Sequence, residues 1–357
     1  MSTNNRAYAE SLRELIDLLP LDSVDYAFAY GSGAVCQLNE EREMKVVDFI
    51  LATRDPLRFH AKNLERNCAH YSMLRLIGAK NISVLQTNFA AHIYYNTLVQ
   101  SRDGRRIFKY GVMSVDDMRS DLLDWRWLYT AGRLHKPVLD VIEPCDIDDS
   151  ETKTQTSAQA SIFADNSVVQ LKHAILENRR SALQAALLLL PDTFSYDLLF
   201  RRIVGLSYTG DFRMIFGEDR NKIQKIVSGA MEDLKQIYSP LLSEDSRVVV
   251  LSNGSRIEQD SSSPAVYHRL NLLPSTVLDG LYKFYRRIDA RPRDIEEIIF
   301  AMAHRHDVAQ RVEEAITGIV RPVALRQTFV NALSAGVLKS LQYSSSKIIK
   351  MFRSIRR

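Results

Sequence analysis

The chain has 357 residues, 46% of them apolar and 25% charged, values that exclude wholesale disorder and provide for a sizeable core. A net charge of +4 is too small for the strongly basic surface that non-specific nucleic-acid binding favours. The cysteines Cys36, Cys68 and Cys145 lack disulfide or zinc spacing, and no run approaches the roughly 18 to 20 consecutive apolar residues of a membrane span.

The length exceeds what one core usually organises, so two domains are expected. Residues 1–13 lack the Arg-rich, acid-free character of a transit peptide. Residues 26–30 read as a buried strand that stops at Gly31-Ser32-Gly33, and residues 45–52 as a second strand bounded by Arg54-Asp55-Pro56. Residues 91–99 and 105–113 flank Asp103-Gly104 as a hairpin. Ser114 opens a helix with Asp117 as its capping partner. Residues 1–150 thus read as one α/β domain.

Residues 146–160 turn to Asp, Ser, Thr and Gln and read as a linker. Residues 168–190 and 219–238 have helical periodicity, and residues 247–251 and 256–258 around Asn253-Gly254 form a small hairpin. Helices followed by a hairpin suggest a winged-helix-like domain over residues 160–322. No solenoid-type repeat occurs.

The sharpest local feature is the glycine turn followed, fifteen residues after Gly33, by Asp48 inside an apolar run. Such a turn lets backbone N–H groups approach a phosphate, and Ser32 adds a hydroxyl. Asp48 is costly in a strand unless paired, and Mg2+, which prefers oxygen ligands and bridges carboxylates to substrate phosphates, is a natural partner. Each signal alone has a structural reading: a turn that needs glycine, and an acid at a strand end. Together they match the nucleotidyltransferase pattern.

Longer strings are more specific. His70-Tyr71-Ser72, Tyr94-Tyr95-Asn96-Thr97-Leu98, Lys109-Tyr110-Gly111-Val112, Ala131-Gly132-Arg133-Leu134, Lys136-Pro137-Val138 and the run from Gly205 to Met214 appear in the order seen in one family. In these segments, from about residue 27 to 328, the chain resembles the mitochondrial phosphatidate cytidylyltransferases, the CDP-diacylglycerol synthases. The resemblance implies a polymerase-β-like α/β nucleotidyltransferase domain followed by a mostly helical, winged-helix-like domain. It also implies a magnesium-dependent reaction of CTP with phosphatidic acid that yields CDP-diacylglycerol and pyrophosphate for cardiolipin synthesis. The expected location is the matrix side of the mitochondrial inner membrane, peripherally bound.

On that resemblance, Gly31, Ser32, Gly33, Lys62, Tyr208 and Arg213 are expected to bind nucleotide, and Asp48, Asp55 and Lys109 to serve catalysis. The superfamily's second acid, two residues from the first, is absent here, since Val46 and Ile50 flank Asp48. Asp55 is the first candidate for the second metal ligand and Asp211 a weaker one. Arg105 is a further cation near the site. Tyr94, Tyr95 and Tyr208 offer rings for cytosine, with a core role as the alternative, and His70 and Tyr71 are either substrate contacts or a structural pair.

Residues 323–357 form a basic segment: Arg321 to Arg357 holds eight Lys or Arg and no acid. On a helical wheel Leu338, Leu341, Ile348 and Phe352 face one way and Lys347, Lys350 and Arg353 the other, the pattern of a C-terminal amphipathic helix docked on an anionic membrane. A helix packed on the body with a solvated basic face, and a nucleic-acid tail, are the alternatives. For the whole chain the competing readings are a nucleotidyltransferase acting on RNA and a non-catalytic membrane-assembly factor. A basic, aromatic-interleaved face, as nucleic-acid binding requires, is not evident, so no nucleic-acid partner is expected.

Overall fold

The computed structural model describes residues 3–34, 46–144, 161–214, 219, 221–251, 256–289, 291 and 293–335. They form two compact units. The first holds the chain up to Ser120, Val138–Leu176 and residues from Arg326 on; the second holds Asp121–Pro137 and Glu177–Leu325.

The first unit opens with α1 (Thr3–Ile16) and is built on five strands: β1 (Val24–Tyr30), β2 (Val47–Thr53), β3 (Tyr94–Gln100), β4 (Ile107–Ser114) and β5 (Leu139–Ile142). Their order is β3-β4-β2-β1-β5; β2 and β4 run parallel, and the other neighbours are antiparallel. A parallel pair needs a long crossover. Here α2 (Pro56–Asn67), a run of 3₁₀ turns (Cys68–Ile77), α3 (Gly78–Asn88) and β3 supply it.

Side chains alternate across the sheet. Ala27, Ala29, Val47, Phe49, Leu51, Phe108, Tyr110 and Val112 share one core with Leu12, Leu15 and Ile16 of α1 and Phe59 of α2. The residues between them, including Asp48 and Lys109, belong to the opposite face. Beneath α2 lies a buried polar network. His60 meets the Tyr71 hydroxyl through Nδ1 (2.9 Å) and Gln86 Oε1 through Nε2 (2.8 Å), while Asn63 Nδ2 donates to the hydroxyls of Tyr71 (2.9 Å) and Tyr110 (2.7 Å).

The expected hairpin is β3–β4, and the expected capping box is present: Ser114 Oγ accepts the Asp117 N–H at 3.0 Å and donates to its carboxylate at 2.6 Å. This starts α4 (Val115–Asp124).

The second unit contains α5 (Ala131–Leu134), the later turns of α6 (Ser161–Leu188), α7 (Tyr196–Gly205), α8 (Lys222–Gly229), α9 (Met231–Glu244), α10 (Ser263–Asn271), α11 (Ser275–Ile288), α12 (Ile295–Ala303) and much of α13 (Val308–Ala335). Three short antiparallel strands, β6 (Thr193–Phe194), β7 (Val248–Val250) and β8 (Ile257–Gln259), pair in the order β6-β8-β7. The β7–β8 pair is the hairpin read from the sequence, although Asn253-Gly254 lies outside the described residues. The single helix expected over 219–238 is broken at Ala230, whose φ of −123° follows the weak helix former Gly229. The linker expected at 146–160 falls outside the described residues.

Residues 121–137, expected in the first domain, belong to the second unit, and residues 138–176 belong to the first. The segment 121–137 is bonded within itself and to distant residues of the second unit. The buried Asp121 carboxylate accepts backbone N–H groups from Trp127 (2.9 Å), Tyr129 (3.1 Å), Thr130 (2.7 Å) and Ala131 (3.0 Å). Asn178 Oδ1 accepts from Trp125 Nε1 at 2.8 Å and meets His135 Nε2 at 3.0 Å, and the Tyr238 hydroxyl donates to the His135 carbonyl at 2.8 Å. Elsewhere in this unit the buried Arg269 joins Asp245 (2.6 Å) and Gln184 (2.8 Å). No helix among the described residues is long and apolar enough to cross a membrane.

Candidate functional site

In the first unit, β1 hands the chain to the glycine turn beside the start of β2. Gly31 has φ +77°, a conformation that favours glycine, and the Ala34 N–H closes the turn on the Gly31 carbonyl at 3.1 Å. At Gly33 a Cβ would stand 2.7 Å from the Val46 carbonyl oxygen and 3.1 Å from the Val47 Cα, so the turn presses against backbone that leaves no room for a side chain. The Tyr8 hydroxyl donates to the Gly33 carbonyl at 2.6 Å and fixes the turn from α1.

The strand register then assembles the charged groups. Asp48 pairs with Tyr30 across β1–β2 and with Lys109 across the parallel β2–β4 ladder. Lys109 Nζ lies 3.8 Å from Asp48 Oδ1 and 4.0 Å from the centre of the Tyr95 ring, whose hydroxyl is 3.2 Å from that of Tyr30. The Asp48 side chain is 32% exposed and that of Lys109 only 14%, so the carboxylate is open to a ligand and the ammonium works where water screens it little. A Cβ on Gly31 would stand 3.9 Å from Asp48 Oδ2, which places the turn over this carboxylate. The result is one sheet end bearing a glycine turn, a carboxylate, a cation and two tyrosines. That set suits the phosphates of a nucleotide.

The donor set also suits Mg2+ bridging one carboxylate and substrate phosphate oxygens. It does not form a protein-only cage, since no group of three His, Cys, Asp or Glu among the described residues could hold a metal.

In the second unit, Tyr208 follows α7. The ammonium groups of Lys136 and Lys222 lie 4.9 and 5.2 Å from the centre of its ring, and Lys136 Nζ donates to Ser207 Oγ at 3.1 Å. Arg133 stacks over Tyr129 at 3.8 Å. Arg213 is forked onto the buried Asp211: Nε lies 3.0 Å from both carboxylate oxygens and Nη2 2.6 Å from Oδ2. Burial works to lower the Arg213 pKa, but Asp211 more than offsets it and holds the guanidinium above its ordinary value.

The family model described as "Phosphatidate cytidylyltransferase, mitochondrial" matches residues 12–350. The chain belongs to this family. Relatives carrying the same description include one from Caenorhabditis elegans, 51% identical over 97% of this chain and 99% of the relative. One from Xenopus laevis is 39% identical over 97% and 95%, and one from Homo sapiens is 35% identical over 91% of this chain and 67% of the relative.

Of the residues expected to serve this phosphatidate cytidylyltransferase site, the structure brings together Gly31, Ser32, Gly33, Asp48 and Lys109. It does not bring Asp55. Between Asp48 and Thr53 lie five strand steps, about 16 Å at the usual rise, and Asp55 is beyond them. There its Oδ1 caps α2, accepting the Arg58 N–H at 2.9 Å, so it cannot share an ion with Asp48. Asp211 is likewise committed, to Arg213. Lys62 is held by Asp22, which precedes β1 at the end opposite Gly31.

Arg105 sits exposed in the β3–β4 turn, where its N–H meets Asp103 Oδ1 at 3.1 Å. Tyr94 is buried and stacks on Tyr71 with ring centres 5.7 Å apart, which makes both part of the core. His70 Nδ1 bonds the Tyr110 hydroxyl at 2.9 Å, on the helix-covered face of the sheet. Nothing local in the sequence assigns a role to Arg133, Lys136 and Lys222. The only signal was that Arg133 and Lys136 recur inside family-like strings. Lys347, Lys350, Phe352 and Arg353, expected from the sequence to meet a membrane, lie outside the described residues.

Proposed function

We infer that this chain condenses CTP with phosphatidate to give CDP-diacylglycerol and pyrophosphate, with the nucleotide's phosphates at the Gly31–Gly33 turn. The observation that carries the assignment of residues is the register that sets Asp48, Lys109 and the glycine turn at one sheet end, in a chain matched nearly end to end by the phosphatidate cytidylyltransferases. We read the first unit as polymerase-β-like and the second as winged-helix-like, a reading supported by the mixed sheet and by helices joined to a small hairpin.

A phosphate oxygen of the lipid attacks the α-phosphorus of CTP. The new P–O bond forms as the bond to the β-phosphate bridging oxygen breaks, and pyrophosphate leaves with that electron pair. No side chain has to become a covalent nucleophile, so the protein's work is positioning and charge neutralisation. Backbone N–H groups and the Ser32 hydroxyl of the turn hold phosphate oxygens. Lys109 balances charge on the triphosphate, and Asp48 would hold Mg2+ against it. When bound, the ion supplies further neutralisation of the phosphates.

The reaction belongs to mitochondria. We place it peripherally on the matrix side of the inner membrane, with the amphipathic pattern of residues 337–357 as the docking helix and cardiolipin synthesis as the destination of the product.

The test is conversion of labelled CTP to a chloroform-soluble product on liposomes containing phosphatidate, with magnesium. Wild type is expected to label the lipid, Asp48→Asn to lose at least about a hundredfold in rate, and deletion of 337–357 to reduce co-sedimentation with the liposomes. Unimpaired Asp48→Asn would remove Asp48 from the metal site, and unchanged sedimentation would remove the tail from the membrane.

A further inference from the structure

A cavity of about 470 Å³ opens in the second unit beside Tyr208. Its wall is mostly apolar, with Leu189, Leu198, Leu206, Met214 and Ile223, and Thr209 joins Tyr208 in the lining. This volume falls within the range of small-molecule sites. At Tyr208 the character changes, because the same ring that lines the cavity is flanked by the ammonium groups of Lys136 and Lys222. A cytosine stacked on this ring would compete with those two cations for its face. Lys136 and Lys222 are not part of the wall, but they stand against the ring that is. An apolar chamber bounded by a ring with two ammonium groups over it matches a ligand that is anionic at one end and oily at the other.

Lys136 strengthens the case. It is only partly exposed, its ammonium donates to Ser207 Oγ, and no carboxylate among the described residues pairs with it. Burial first, and then the charges of Arg133 and Lys222, hold its pKa well below the ordinary lysine value. A desolvated ammonium among like charges is costly until an anion arrives. Arg201 and Arg202, also in the lining, are by contrast committed to Asp197 (2.7 Å) and Glu313 (3.9 Å).

We propose that this cavity is the lipid-substrate subsite: Lys136 and Lys222 hold the phosphomonoester of phosphatidate, and the apolar wall takes the glycerol ester and the first methylenes of an acyl chain. The proposal rests on the phosphatidate cytidylyltransferase reading and adds to it the residues that select a lipid phosphate. Ser207 is a positioning residue, because its hydroxyl orients the Lys136 ammonium.

The experiment is steady-state kinetics of the full chain with phosphatidate of long and of six-carbon acyl chains, varying CTP and lipid separately. Lys136→Gln and Lys222→Gln are each expected to raise the KM for both lipids by about tenfold, the loss of one charge-assisted contact, with the KM for CTP within about twofold. Leu198→Glu places a carboxylate at the third residue of α7, where Ser195 is the N-cap, so it completes a capping box and leaves the helix sound. It is expected to raise the KM for the long-chain lipid more than for the short one.

A rise confined to CTP would assign the two lysines to the nucleotide and overturn the proposal. Unchanged lipid KM in all three variants would do the same. A wild type that labels no lipid would refute the underlying activity before the variants are compared. If Lys136→Gln fails to fold, Lys222→Gln and Leu198→Glu carry the decision.

Discussion

His60 is a base that the fold keeps uncharged. Burial lowers its pKa to about 4, although the hydrogen bond to Gln86 works in the opposite direction. An unfolded imidazole takes up a proton near pH 6.5, whereas the folded one refuses it until about pH 4, so acid favours unfolding in this window. The stability is therefore fully present above pH 6.5 and is lost as the pH falls towards 4, by on the order of 3 kcal/mol. Amide protection factors in β2 and β4 are expected to fall between pH 7 and pH 5, and His60→Gln is expected to flatten that dependence. Parallel losses in wild type and variant would place the sensitivity elsewhere.

Asp48 and the glycine turn were readable from sequence because each signal is local, an acid in an apolar strand and a turn that needs glycine. Lys136 was not. Its meaning depends on Ser207 and Lys222, brought to it from more than seventy residues away.

Among the elements, α2 carries the clearest revision. An acid just past a strand looks like a metal ligand when the strand's direction and length are ignored. In the folded chain β2 starts at the site and carries Asp55 away from it, to the N-terminus of α2 before Pro56. Asp55→Asn keeps a good cap and is expected to leave both stability and magnesium dependence unchanged. Asp55→Ala is expected to cost about 1 kcal/mol of stability at unchanged magnesium dependence. Urea denaturation and a magnesium titration of activity measure both. Loss of turnover in the folded Asn variant would return Asp55 to the catalytic set.

Other elements declared themselves through local chemistry. The β3–β4 hairpin followed from its turn residues, and the start of α4 from the Ser114–Asp117 box. The break at Ala230 is not legible in the sequence, because helical periodicity continues across it.

At the scale of the whole molecule, composition located a polar stretch near residue 150, but the units are not divided there. Residues 121–137 complete the second unit through Asn178 and Tyr238, and the first unit takes in residues from α13. Gln327, only 1% exposed, accepts the Ala91 N–H at 3.1 Å through Oε1 and donates through Nε2 to the Ile93 carbonyl at 3.3 Å. These bonds sit at the entry to β3, a sheet-edge strand.

A fragment of residues 1–150 loses the Gln327 partner of both backbone groups and strands residues 121–137 without theirs. Each buried polar group left unpaired costs about 1 to 3 kcal/mol, against a usual total of roughly 5 to 15. The fragment is therefore expected to give poorly dispersed amide spectra and rapid proteolysis, while the chain carried to Ala335 is expected to give a dispersed, protease-resistant fold. A well-dispersed 1–150 fragment would mean that the sheet folds without α13, and that Gln327 only trims an edge that is already stable.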